Sequence, residues 1–232
     1  MNQFILECRN VTKGYTAPVL ESFNLFLKRG RVVGLLGPNG SGKTTLIKLI
    51  TGMLSLGAGE ILVDGKPVGE KSKAIVSYLP DRNCLPLKST VGEIASICQT
   101  MFADFDPARA FKLLSDLNID MNAKFSTLSK GNREKVQLIM TMSRRAKLYI
   151  LDEPIAGVDP ATRDYILDTI LKNYDPESTI LISTHLIADV EGILDDFIFI
   201  KNGTIVRYEN TKEFKAREGI SVDEAFRRDF RC

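Results

Sequence analysis

The sequence predicts an α/β fold: a core with a mostly parallel sheet, an N-terminal antiparallel β subdomain and an inserted α-helical subdomain. Three observations carry that expectation. Short apolar runs alternate with helical patterns, residues 3–36 read as closely spaced strands with turn residues between them, and a long helical stretch separates two groups of strands. The 232 residues, 44% of them hydrophobic, suffice to bury a core of that size. Lys and Arg number 31 against 29 Asp and Glu, so the net charge of +2 gives no chain-wide drive toward nucleic acid or acidic lipid.

Taken in order, strands are expected at 4–8, 23–27 and 31–36, with turns at Lys13-Gly14 and Lys28-Arg29-Gly30. Two more fall at 60–63, closed by Asp64-Gly65, and at 74–79, ended by Pro80. From 90 to about 128 the pattern turns helical, with Asp106 as N-cap, Pro107 at the first helical position, and Phe111, Leu113, Leu114 and Leu117 supplying apolar faces. A helical run over 133–145 follows, with Ser129 as its N-cap. Strands return at 148–151, 179–183 and 197–200, and one intervening helix starts at Asp159 with Pro160 behind it. Ser221-Val222-Asp223-Glu224 has capping-box spacing. The division expected is one domain over 1–232: core and β lobe in 1–88 and 146–210, helical insertion in 89–145, and a short helical tail in 211–232.

The first residues hold too few apolar side chains before a charge for a signal-peptide core, and no run approaches the roughly 20 apolar residues of a membrane span. A soluble chain is expected, whose membrane role would need a partner. Cys8, Cys84, Cys98 and Cys232 lie far apart without metal-ligand spacing, which predicts free thiols in a reducing compartment.

Chemistry enters with Gly37-Pro38-Asn39-Gly40-Ser41-Gly42-Lys43-Thr44-Thr45, which fits G-x-x-x-x-G-K-S/T between a strand and a helix. Its glycines let successive N–H groups turn toward phosphate oxygens, and the helix N-terminus adds the positive end of its dipole. Lys43 would reach the β and γ phosphates and Thr44 would ligate Mg²⁺. The pattern predicts a P-loop NTPase core. The apolar run 148–151 ends in Asp152-Glu153, two acids at the carboxyl edge of a parallel sheet, where one can hold the hydrated Mg²⁺ and the other activate water. By itself such an acidic strand end is commonplace; the phosphate loop is what makes it catalytic.

Leu128-Ser129-Lys130-Gly131-Asn132 is the segment that decides among phosphate-loop proteins. With the loop before it, the acids after it, then Ala156-Gly157-Val158-Asp159 and Ser183-Thr184-His185, this order resembles the ABC ATPase family, specifically its transporter nucleotide-binding subunits. The resemblance covers nearly the whole chain. It implies a homodimer or heterodimer closing around two ATP, with Ser129 and Gly131 of one subunit near the γ-phosphate held by the other; Lys130 between them would strengthen that closure if its ammonium points toward the triphosphate. It implies too that Glu153 activates water, that His185 is the switch histidine at the γ-phosphate, and that Asp159 links the two sites. Read alone, His185 is an ordinary packed residue, Asp159 only a helix cap, and Tyr15 a β-lobe aromatic; the resemblance makes Tyr15 the adenine-stacking side chain.

Two departures stand out. The family's usual signature is Leu-Ser-Gly-Gly-Gln, whereas Lys130 and Asn132 occupy two of its positions here. Near the family's Mg²⁺-touching glutamine, Tyr78-Leu79-Pro80-Asp81-Arg82 offers Asp81, a carboxylate of shorter reach. The resemblance implies an ATPase on the cytoplasmic face of the membrane, bound to separate transmembrane subunits that select the cargo, with the 221–226 tail similar to short export-type subunits. No nucleic acid partner is expected. The rival readings are a soluble clamp on ribosomes or DNA, and a switch that binds ATP without hydrolysing it.

Overall fold

The computed structural model describes residues 3–230, and Cys232, expected as a free thiol, lies outside them. In chain order the elements are β1 (Phe4–Gly14), β2 (Pro18–Lys28), β3 (Val32–Leu36), α1 (Lys43–Ile50), β4 (Ala58–Val63), β5 (Lys66–Pro67), α2 (Glu70–Lys73) and β6 (Val76–Leu79). The helices α3 (Val91–Met101), α4 (Pro107–Asp116) and α5 (Lys130–Met142) follow. The chain then forms β7 (Leu148–Asp152), α6 (Pro160–Asn173), β8 (Thr179–Thr184), α7 (Ile187–Val190), β9 (Asp196–Lys201), β10 (Thr204–Asn210), α8 (Thr211–Glu218) and α9 (Val222–Asp229).

The core sheet runs β10-β9-β3-β8-β7-β6. Its pairs from β6 through β9 are parallel, and only β10 is antiparallel. A second, antiparallel sheet runs β2-β1-β4-β5. The expected lobe therefore exists, but its strands come from both sides of β3: residues 31–36 belong to the middle of the core sheet, and the lobe is completed by β4 and β5 after α1.

Side-chain alternation along β3 explains why it can be central. Val33 and Leu35 pack with the lobe and α1 on one face, while Val32 and Leu36 pack with α6, α8 and α9 on the other. Both faces are covered, so the strand reads as one apolar run. The inserted helices hold a separate core of Val91, Ile94, Leu114, Phe125, Val136 and Ile139. Helix α5 serves both bodies, since Leu138 and Met142 face the core sheet while Val136 and Ile139 face the insertion. Phe111 departs from expectation: it is exposed, and Leu114 carries the buried face of α4.

Caps are where the sequence placed them. Asp106 accepts from Arg109 N–H, Ser129 from Asn132 N–H, Asp159 from Thr162 N–H and Ser221 from Glu224 N–H. Helix α5 begins at Lys130, earlier than the apolar pattern alone suggests, because its first turn is polar and contributes no buried side chain. Buried Arg144 ties insertion to core: it pairs with Asp104 at 2.9 Å, donates to the Ala74 and Val76 carbonyls, and stacks 4.1 Å from the Phe102 ring centre. Cys8, Cys84 and Cys98 are free thiols.

Candidate nucleotide site

The loop 37–42 connects the carboxyl end of β3 to α1, so α1 starts with its N–H groups facing the loop. Gly42 adopts φ 106°, a left-handed value that admits no ordinary side chain cheaply. Gly37 is needed for space: a Cβ there would lie 2.7 Å from Ser41 Oγ and closer still to the Ile200 carbonyl. Pro38, Asn39 and Gly40 are exposed on the loop's outer side, Ser41 is buried with its Oγ lacking a hydrogen-bond partner, and Thr44 and Thr45 are half-buried on the first turn of α1.

Lys43 folds back into the loop. Its Nζ donates to the carbonyls of Gly37, at 2.7 Å, and Pro38, at 3.1 Å. Burial pulls the ammonium below its usual range, while the charges of Glu153 and Asp152 oppose that shift. A protonated lysine whose partners are neutral carbonyls has the charge and donors to bind an anion in their place.

The acids lie at the ends of adjacent strands. Asp152 is 1% exposed and pairs in register with Ser183 of β8, whose hydroxyl donates to Asp152 Oδ1. Burial pushes the Asp152 carboxyl above its usual range; the Ser183 hydrogen bond and nearby Thr44 oppose this, and the charges of Asp81 and Glu153 add to it. Among the described residues no hydrogen bond reaches Oδ2, leaving a buried, unpartnered oxygen, and Thr44 on the first turn of α1 acts on the same carboxyl group. Glu153 then leaves the strand in a left-handed conformation, φ 50°, with its N–H on the Ser183 carbonyl at 2.9 Å. Its Oε2 stands 2.9 Å from His185 Nδ1. A carboxylate only accepts, so Nδ1 carries the proton and Nε2 is left free to meet a ligand.

Asp81 follows β6 at the same edge, exposed, with its charge felt at Asp152. A cavity of about 320 Å³ joins Asp81 to Glu153 and Ala156, walled on the far side by Lys130, Arg133 and Gln137 of α5. Lys43, Thr44, Asp81, Asp152, Glu153 and His185 thus gather at one edge of the sheet. Ser129, Gly131 and Asp159 form a second group, in which the first turn of α5 sits against the start of α6: a Cβ on Gly131 would lie 3.2 Å from Thr162 Oγ1. Among the described residues no hydrogen bond joins that group to the loop 37–45. Tyr15 is 65% exposed in the turn between β1 and β2, with Lys13 Nζ 5.7 Å from its ring centre; just beyond the turn, Leu20 packs against Gly42.

Ser183 is the site residue whose role the sequence did not reveal. The sequence presents it only in a triplet with His185, whereas its bonds to Asp152 and Glu153 depend on the register of β7 against β8. A larger cavity, about 640 Å³, opens at the opposite end of the sheet. There Arg29 and Lys147 are bound to Asp64, Arg145 to Asp106, and Arg109 to two carbonyls. Its cations are engaged, and no phosphate-loop residue lines it.

Residues 20–156 match the family described as ABC transporter. The chain is 30% identical over 229 residues to the ABC transporter ATP-binding protein YtrB of Bacillus subtilis (strain 168), covering 97% of this chain and 78% of YtrB. The fold matches the ATP-binding subunit of an ABC transporter with TM-score 0.86 and 28% identity, over 96% of this chain and 98% of that one. It also shares the fold of the cassette MJ0796 in a dimeric post-hydrolysis state bound to ADP and Pi, with TM-score 0.77, 22% identity, and 88% and 98% coverage. A family match over more than half of the chain, joined to a relative aligned along nearly all of it, places this protein in the ABC transporter family as one of its ATP-hydrolysing, nucleotide-binding cassettes.

Proposed function

We propose that this cassette pairs with a second one around two ATP molecules and drives a membrane transporter of the export type, docked on separate transmembrane subunits at the cytoplasmic face. The observation that carries the mechanism is the buried, unpartnered Oδ2 of Asp152, on a carboxyl group that Thr44 of the phosphate loop also reaches. Unpaired buried carboxylate oxygens are costly, and hard oxygen donors of this kind suit Mg²⁺. Thr44, Asp152 and, from the neighbouring strand end, Asp81 would hold the ion. When bound, Mg²⁺ neutralises charge on the phosphates.

The chain's own groups supply the rest. The loop N–H groups of 37–45 bind phosphate oxygens, and the Lys43 ammonium exchanges its two carbonyls for them. Glu153 takes a proton from the attacking water. His185, oriented by its Nδ1 bond to Glu153, presents Nε2 to the γ-phosphate. Tyr15 stacks on the adenine, worth about 1–3 kcal/mol by analogy with base stacking. Ser129, Gly131 and Asp159 face the partner cassette's ATP, so each site is completed only in the dimer, whether of like or unlike subunits.

Export is supported by the 221–226 tail, similar to that of short export-type subunits. For the membrane subunit, a cavity of about 450 Å³ lies between the core, at Ile50, Met53, Val76 and Pro80, and the insertion, at Met101 and Phe102. Its exposed Met53 and Met101 offer apolar contact for a short amphipathic segment. No helix among the described residues is long and apolar enough to cross a membrane.

The test is Glu153→Gln. We expect retained ATP binding, hydrolysis slowed by about a hundredfold or more, and an ATP-bound dimer on size-exclusion chromatography. Hydrolysis at the parental rate would remove Glu153 from its role, and copurification with ribosomes or DNA instead of a membrane protein would overturn the transport reading.

A further inference from the structure

Lys130 stands where the usual signature has a glycine, and its side chain, though largely exposed, has a partner in its own chain. Its Nζ donates to the Gly157 carbonyl at 2.9 Å, and lies 3.9 Å from Glu134 one turn along α5. The Gly157 carbonyl is thus the nearer partner; burial raises the Glu134 carboxyl above its usual range, and the charges of Lys130 and Arg133 oppose that shift. Gly157 has φ 71°, and a Cβ on it would sit 2.8 Å from Lys130 Nζ. The fit between ammonium and turn thus depends on a residue without a side chain.

The turn is chemically important because of where it begins. Glu153 opens it in a left-handed conformation, the Ala156 N–H closes it on the Glu153 carbonyl at 3.2 Å, and Asp159 ends it as the cap of α6. Anything that fixes Gly157 therefore fixes the backbone between the water-activating carboxylate and the helix cap. The opposite end of the link is the first turn of α5, which carries Ser129 and Gly131.

We propose that Lys130 is a positioning residue that clamps the 156–159 turn to the first turn of α5 within one subunit, so that the partner-facing segment 129–131 and the Glu153 backbone move as one body. The clamp rests on the assignment of Glu153 and of 129–131 given above, and acts on the rate of the chemical step. A direct contact between Lys130 and a phosphate would act on ATP affinity and its salt dependence instead.

Two measurements test it. Hydrogen exchange of the peptide covering 153–162 in the nucleotide-free protein reads the clamp without any turnover: Lys130→Met should exchange severalfold faster there, and Lys130→Arg should restore protection. Steady-state hydrolysis at two salt concentrations reads its effect. Lys130→Met should lower kcat about threefold to tenfold with the KM for ATP within twofold at both salts, Lys130→Arg should recover most of the loss, and Gly157→Ala combined with Lys130→Met should lose no more than the worse single variant. Unchanged exchange, a raised KM with kcat intact, or losses that multiply in the double variant would each overturn the clamp. Because the exchange arm needs no nucleotide, it stands or falls separately from the Glu153→Gln result.

Discussion

Asp152 and Glu153 are adjacent, yet the backbone sends them to different work. Asp152 ends β7 inside the sheet, and Glu153 turns out of it with positive φ to meet His185. Both acids could be named from the sequence because a phosphate loop accompanied them. Ser183 could not, since its bond to Asp152 joins strand ends far apart in the chain. Lys130 was legible as an oddity, but its direction was not: the sequence suggested a reach toward a partner's triphosphate, and the ammonium engages Gly157 of its own chain. At this scale we expect Gly37→Ala to abolish ATP binding, measured by fluorescent nucleotide titration, because the added methyl collides with the Ile200 carbonyl and Ser41. Circular dichroism should show the fold retained with a lowered melting temperature, since the loop itself lies outside the packed clusters while Ile200 belongs to one.

At the scale of elements, helix starts were the most readable feature, because a cap is a local bond between residues a few positions apart. Strands were readable where both faces are buried. The far halves of β1 and β2 were missed: register shifts around Arg9–Lys13 and a positive φ at Asn10 break the alternation, and polar residues fill the gap. β10 was missed for a related reason, as it buries too little of one face to give a period, whereas α8 falls within the helical tail expected over 211–232. The turn after β4 shows what holds the lobe to the core: Asp64 accepts from Arg29 and, at 2.9 Å, from Lys147. Burial alone would raise that carboxyl, but these bonds outweigh it and hold it below the usual range. A depressed native pKa stabilises above the unfolded value near 4, and the stability is lost as pH falls through the native value. We therefore expect Asp64→Asn to cost about 1 kcal/mol at pH 7 in thermal melts, with the gap to the parent closing below about pH 4.

Across the whole molecule, two bodies meet along α5 and Arg144, with an apolar groove beside the joint. The α/β class and the helical insertion were legible from the alternation of patterns; the split origin of the antiparallel lobe was not, because strand order is set by pairings across the chain. If the groove seats the membrane subunit, Met101→Asp should weaken copurification from detergent extracts about tenfold or more, with little change in melting temperature because Met101 is exposed. Parental levels of copurification in that variant would move the docking surface elsewhere.

The placing of β3 also sets a schedule for synthesis. Its neighbours in the sheet are β8 and β9, made of residues beyond 178, so the strand that carries the phosphate loop waits for most of the chain to leave the ribosome before it has a partner on either side. A nascent chain stopped before Thr179 holds every residue of that loop but neither strand that flanks β3, so nucleotide cannot assist folding until the last quarter of the protein is being made.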